Sequence, residues 1–210
     1  MTTVAVIDYG MGNIHSVSKA LEYAGGDAKI VVTYDPRRIL NADHVVFPGV
    51  GALRDCMSEL RRLELDDVVR ECAGSRPFLG ICLGMQALMD SSEENGGTRG
   101  LGIIAGDVPR FAAPSGTALK VPHMGWNRVH QTRPHALWEG IPQDSYFYFV
   151  HSYYVRPQSP DAAAATTDYG AAFTSALLKD NVFAVQFHPE KSQRAGLTLL
   201  ANFIAWDGGG

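Results

Sequence analysis

Along the first half of the chain, apolar positions switch between the period of a strand and the period of a helix. Val4-Ala5-Val6-Ile7 is a short unbroken apolar run, the pattern of a strand buried on both faces. Ile14, Val17, Leu21 and Ala24 then share a helical stripe, with Asn13 placed to cap it and Gly25-Gly26 to stop it. Lys29 to Thr33 and His44 to Phe47 read as further strands, and Leu53, Cys56, Met57 and Leu60 line one face of a helix. Pro77 to Ile81 is another buried strand, leading at once into the helical pattern Leu83, Ala87, Leu88. Strands alternating with helices at this spacing predict βαβ units and a parallel sheet covered on both sides.

The second half changes character. Ser91 to Gly102 is polar and glycine-rich and reads as a loop. Ile103-Ile104, Asn127 to Val129, Tyr146 to Tyr154 and Ala171 to Leu178 set Tyr, Phe and Val between turn residues, a pattern of antiparallel strands. Val182 to Phe187 is again a buried-strand run, and Ala195, Leu199, Leu200, Phe203 and Ile204 form a closing amphipathic helix with Ser192 near its start. The expected architecture is a single three-layer α/β domain over residues 1–206. It has a largely parallel central sheet flanked by helices and a smaller antiparallel region in the second half, with 207–210 a disordered tail.

Composition narrows the function. At 210 residues, 46% hydrophobic and 19% charged, the chain can bury a sizeable core. A net charge of −4 argues against a nucleic-acid binder. No apolar run reaches the length of a membrane span, and the N-terminus enters a strand-like segment with no charged leader. Cys56, Cys72 and Cys82 leave one unpaired after any pairing and form no C-x-x-C, so a disulfide framework and a structural zinc are poorly supported and a cytoplasmic protein is expected.

Gly80-Ile81-Cys82-Leu83-Gly84 carries the sharpest chemical signal. A nucleophile between two glycines, at a strand-to-helix junction, has the layout of a nucleophile elbow. A buried structural cysteine is the plainer reading of a lone thiol, and the flanking glycines shift the balance toward a nucleophile. Gln186-Phe187-His188-Pro189-Glu190 supplies a base, since the proline holds His188 extended and period 2 lets Glu190 reach the same side. Phe47-Pro48-Gly49-Val50-Gly51 ends another strand, where the Val50 and Leu83 amides would form a two-donor oxyanion hole; a simple turn fits that stretch equally well. Asp8-Tyr-Gly-Met-Gly-Asn13 fails as a dinucleotide fingerprint because the third glycine position is His15. His123 and His151 have no carboxylate or cysteine at ligand spacing, so no metal and no cofactor are expected. Phe147 and Phe149 read as core, whereas Trp126 and Tyr148 are candidate interface anchors.

Taken together, Gly80-Ile-Cys-Leu-Gly-Met-Gln86 and His188-Pro-Glu190 resemble the class I, triad-type glutamine amidotransferases. Asp8 to Asn13, Phe47 to Gly51, Pro122-His-Met-Gly-Trp-Asn127 and Phe149-Val-His-Ser-Tyr153 are similar to the glutaminase subunits of imidazole glycerol phosphate synthase, over residues 4 to 205. The resemblance implies Cys82, His188 and Glu190 as catalytic triad, with Val50 and Leu83 as oxyanion donors. It implies that Gly49, Gln86, Glu94, His151, Ser152 and Tyr153 hold glutamine, and that Asn13, Trp126 and Tyr148 meet a partner. That partner would be the (β/α)8-barrel cyclase of a heterodimer, which uses the ammonia to form imidazole glycerol phosphate and an aminoimidazole carboxamide ribotide. The glutaminase of pyridoxal phosphate synthase shares the triad but lacks the Pro-His-Met-Gly-Trp-Asn segment. A cysteine peptidase or a non-catalytic scaffold are the other classes to weigh against it.

Overall fold

The computed structural model describes residues 1–112 and 119–209. Its first half is β1 (Thr3–Ile7), α1 (Ile14–Ala24), β2 (Lys29–Thr33), α2 (Pro36–Leu40), β3 (His44–Gly49), α3 (Leu53–Arg62), α4 (Asp66–Ala73), β4 (Phe78–Cys82) and α5 (Leu83–Ala87). The second half adds β5 (Met89–Ser92), β6 (Thr98–Arg99), β7 (Ile104–Val108), β8 (His123–Gln131), β9 (Ser145–His151) and β10 (Arg156–Pro157). It closes with β11 (Ala163–Asp168), β12 (Ala172–Lys179), β13 (Val182–Val185) and α6 (Gln193–Ala205).

One sheet runs β2-β1-β3-β4-β13-β12-β11-β8-β9. It is parallel from β2 to β13 and antiparallel from β13 to β9. The antiparallel strands therefore extend the parallel ones within one sheet. A second, small sheet, β10-β7-β5-β6, lies beside it. The unbroken apolar runs now have a physical reason, because neighbouring residues feed two different cores. Ala5, Ile7, Val45, Phe47 and Phe78 face the layer of α2 to α5, while Val4, Val6, Val46, Leu79 and Ile81 face α1 and α6.

Several local expectations change. Ser91 to Gly102 is not all loop: the end of β5 and all of β6 lie within it, their polar side chains masking two strands of the small sheet. Three elements carry weak sequence signals. In α2 the Asp35 carboxylate accepts from the Arg37 amide at 2.9 Å, in α4 only Val68, Val69, Cys72 and Ala73 are buried, and β11 is an alanine-rich strand formed by pairing on both sides. Asn13 precedes α1 without a side-chain capping bond, and Ser192 likewise leaves α6 uncapped by its hydroxyl. The tail expected to be disordered turns back at Asp207–Gly209, where the Gly209 amide donates to the Asp207 carboxylate at 2.9 Å and Gly208 lies beside Pro77 and Asn181. Gly210 lies outside the described residues.

What positions the site is the shared edge of β3, β4 and β13. Gly49 pairs with Cys82, and Val185 pairs with Ile81, so three chain segments leave the sheet side by side at its carboxyl edge. The turn after β4 has no spare room. A Cβ on Gly84 would collide with the Phe47 carbonyl, and one on Gly80 would sit 3.1 Å from the Ala184 Cβ. Gly84→Ala is accordingly expected to cost about 2–3 kcal/mol or more. Gly26→Ala, with φ +55° but open space around it, should cost only about 1 kcal/mol. Urea unfolding of both variants checks the contrast, and equal losses would contradict the packing account.

Candidate active site

Cys82 ends β4 with φ +54° and ψ −108°, a left-handed conformation rare for a residue with a side chain. The strain falls on the cysteine itself, while Gly80 and Gly84 are needed for close approach rather than for their own dihedrals. Behind this turn, a Cβ on Gly49 would meet the Tyr9 hydroxyl and, at 2.9 Å, the Leu83 Cβ. The Gly10–Asn13 turn abuts the same loop, since a Cβ on Gly51 would lie 3.0 Å from the Met11 methyl. The Asp8 to Asn13 motif that fails as a nucleotide site thus serves as the floor under Val50.

His188 leaves the end of β13 and is fixed on both sides of its backbone. Its amide donates to the Tyr148 carbonyl at 2.9 Å, and its carbonyl accepts from the Ser192 hydroxyl at 2.6 Å. His188 Nδ1 lies 2.8 Å from Glu190 Oε1, with both side chains almost wholly buried. The other ring nitrogen, Nε2, has no hydrogen-bond partner among the described residues. Burial disfavours the imidazolium, but the adjacent Cys82 sulfur and the Glu190 carboxylate outweigh it and raise His188 to about 10. A carboxylate on one nitrogen, with the other unpartnered among the described residues and a thiol on the same cavity, is the arrangement of an oriented base.

Cys82 and His188 line a cavity of about 330 Å³, at the small end of ligand pockets. Among the residues expected to act there, Val50, Leu83, Gln86, Glu94, His151, Ser152 and Tyr153 all line it, joined by Gly51, Pro122 and Val150. Gly49 is buried behind the wall. Glu94 also carries a structural bond, its carboxylate accepting from the Leu53 amide at 2.7 Å where α3 lacks a capping side chain of its own. Of the expected interface residues, Trp126 and Tyr148 form a cross-strand pair with rings 6.1 Å apart, and Lys191 stands over the Tyr148 ring. Asn13 lies at the start of α1.

Two residues are more informative in space than in sequence. His123 joins His151 through a 2.9 Å bond between Nδ1 and Nε2, inside the β8–β9 hairpin, and serves as a partner rather than a ligand. Gln186 is wholly buried, with its Nε2 3.7 Å from the Cys82 sulfur. Its only sequence signal was one polar residue inside an apolar run. No group of three His, Cys, Asp or Glu among the described residues could hold a metal ion. No helix among them is long and apolar enough to cross a membrane.

The family model described as "Glutamine amidotransferase class-I" matches residues 5–206. The chain is 63% identical to imidazole glycerol phosphate synthase subunit HisH of Nitrosococcus oceani over 208 residues, covering 99% of each. It is 60% identical to the subunit of the same name from Methylococcus capsulatus, covering 99% of this chain and 98% of that one. The fold is similar to a crystal structure of a glutamine amidotransferase with a TM-score of 0.71 at 19% identity, covering 97% and 99% of the two chains.

The buried imidazoles set the response to acid. Burial lowers His123 to about 4 and His151 to about 3, from the ordinary value of 6.5. Above pH 6.5 both states hold these rings neutral. Below it the unfolded chain binds protons that the folded chain refuses, so stability falls as the pH drops toward 4 and 3. His188 acts in the opposite sense, its contribution being complete below 6.5 and lost as pH rises to about 10. The urea midpoint should therefore fall between pH 6.5 and 4, by about 1.4 kcal/mol of stability per unit for each ring. His123→Gln should flatten that fall, and an unchanged slope would exclude the pair as its source.

Proposed function

Because the chain belongs to the class-I glutamine amidotransferase family, we propose that it is the glutamine-hydrolysing subunit of an imidazole glycerol phosphate synthase in histidine biosynthesis. Near end-to-end identity with curated subunits of that synthase supports the pathway. The observation that carries the chemistry is the Cys82, His188 and Glu190 set around one small cavity at the sheet's carboxyl edge. Residues 1–206 form the amidotransferase domain.

Glutamine enters with its side-chain amide at Cys82. His188, oriented by Glu190, takes the thiol proton, and the sulfur adds to the amide carbon. The Val50 and Leu83 amides stabilise the oxyanion, while Gln86, Glu94 and the His151-Ser152-Tyr153 segment hold the amino acid, with Gly49 forming the wall behind. His188 returns its proton to the leaving nitrogen, the C–N bond breaks and ammonia departs. Water, deprotonated by His188, then cleaves the thioester to give glutamate and restore the thiol. A cavity of this size suits one amino acid, whereas a peptidase needs an open groove.

Ammonia released into water would be protonated, so the product passes to a cyclase subunit. We assign that partner as a (β/α)8-barrel forming a heterodimer in the cytoplasm, where Cys56, Cys72 and Cys82 would stay reduced. The outer face of the β8–β9 hairpin fits the contact. Met124, Trp126 and Tyr146 are exposed there, and Val150, opposite Met124, reaches the cavity.

With the cyclase present, Cys82→Ala should abolish glutamine-dependent synthesis by about 10⁴-fold or more and leave ammonia-dependent synthesis intact. Survival of both routes would mean a scaffold. Trp126→Ala should weaken assembly or uncouple glutamine hydrolysis from product formation. Unchanged coupling and affinity would remove it from the interface.

A further inference from the structure

We propose that Gln186 is a catalytic hydrogen-bond donor to the Cys82 sulfur, its amide locked in the donating sense by the backbone carbonyl of Tyr153. The inference rests on Cys82 being the nucleophile. A carbonyl oxygen can only accept, so the Gln86 side-chain atom 3.1 Å from the Tyr153 oxygen is Nε2. The same Nε2 lies 3.1 Å from Gln186, whose facing atom must then be Oε1. The remaining Gln186 atom, Nε2, is the one turned to Cys82 Sγ at 3.7 Å.

The Tyr153 oxygen is held from a second side. His151 Nδ1 lies 2.7 Å from it, which leaves His151 Nε2 to accept from His123 Nδ1 at 2.9 Å. His123 Nε2 in turn accepts from the Asn127 amide at 3.2 Å. Both chains have one polarity, dictated by one oxygen, and neither amide is free to flip. A wholly buried glutamine is costly unless its hydrogen bonds are used, and this one turns its NH2 group to the reacting atom. An N–H on sulfur favours the thiolate over the thiol. Gln186 cannot take the proton, which goes to His188; it stabilises the electron pair left on sulfur.

The other titratable groups around the sulfur are His188 with Glu190, Tyr9 with Cys56 behind it, and His151 and Glu94 across the cavity. Between pH 5 and 9 His151 stays neutral and Tyr9 protonated, because burial lowers His151 to about 3 and raises Tyr9 further above its ordinary value of 10.

The test is alkylation of the full chain by iodoacetamide across that pH range, with the labelled peptide identified by mass spectrometry. Cys56 and Cys72, buried and pushed up to about 12 and about 11, should stay silent. In Gln186→Leu the pH of half-maximal labelling at Cys82 should rise by about one unit, which cuts the thiolate fraction about tenfold and the net rate about threefold on the acid limb. The plateau should become about threefold faster, because a less stabilised thiolate is the stronger nucleophile. Gln186→Glu keeps the shape but replaces the donor with a carboxylate and should shift the profile further, so it carries the test should the leucine variant not fold. Wild-type labelling at Cys82 with superimposable variant profiles overturns the inference and leaves the function standing. Wild-type labelling elsewhere overturns both.

Discussion

The site depends on a contact that no side chain makes. The carbonyl of Phe47, at the end of β3, presses against Gly84 at the start of α5, and the backbone between them has to turn within that space. Gly80 meets Ala184 of β13 on the other side, so the turn carrying Cys82 is wedged between its two neighbouring strands. Held this way, Cys82 keeps a left-handed backbone that would otherwise relax at a gain of roughly 1–3 kcal/mol. The parallel register of β3, β4 and β13 is thus both the frame of the sheet and the source of the strain at Cys82.

That frame was legible from the sequence because it is written in short-range patterns. Unbroken apolar runs, the glycines around Cys82 and the proline after His188 each act within a few residues. They fixed the strands, the elbow and the partner of the thiol. The polar strands β5 and β6 and the alanine-rich β11 went unread, since pairing with distant strands, rather than their own side chains, makes them strands. Gln186 went unread for a similar reason. Its meaning lies in the sense of an amide set by Tyr153, which no local pattern encodes. Asn13 shows the converse case, a good capping residue in the right place whose side chain makes no cap.

The β8–β9 hairpin separates two tasks by the pleat alone. His123, Asn127, Phe147, Phe149 and His151 point inward, where the imidazole chain is sealed by stacking on Phe149 at 4.8 Å and Tyr169 at 4.0 Å. Met124, Trp126, Arg128, Tyr146, Tyr148 and Val150 alternate with them on the other face. A one-residue slip in register would exchange the two sets, placing aromatic rings where the histidines bond and imidazoles on the outer face.

The outward set has a cost for the chain on its own. Met124, Trp126 and Tyr146 are 65%, 46% and 51% exposed on one β-ribbon, the kind of greasy strip that draws copies of a protein together when nothing else covers it. With no partner laid over it, that strip stays bare. The concentration of the uncovered chain is therefore a matter of solubility.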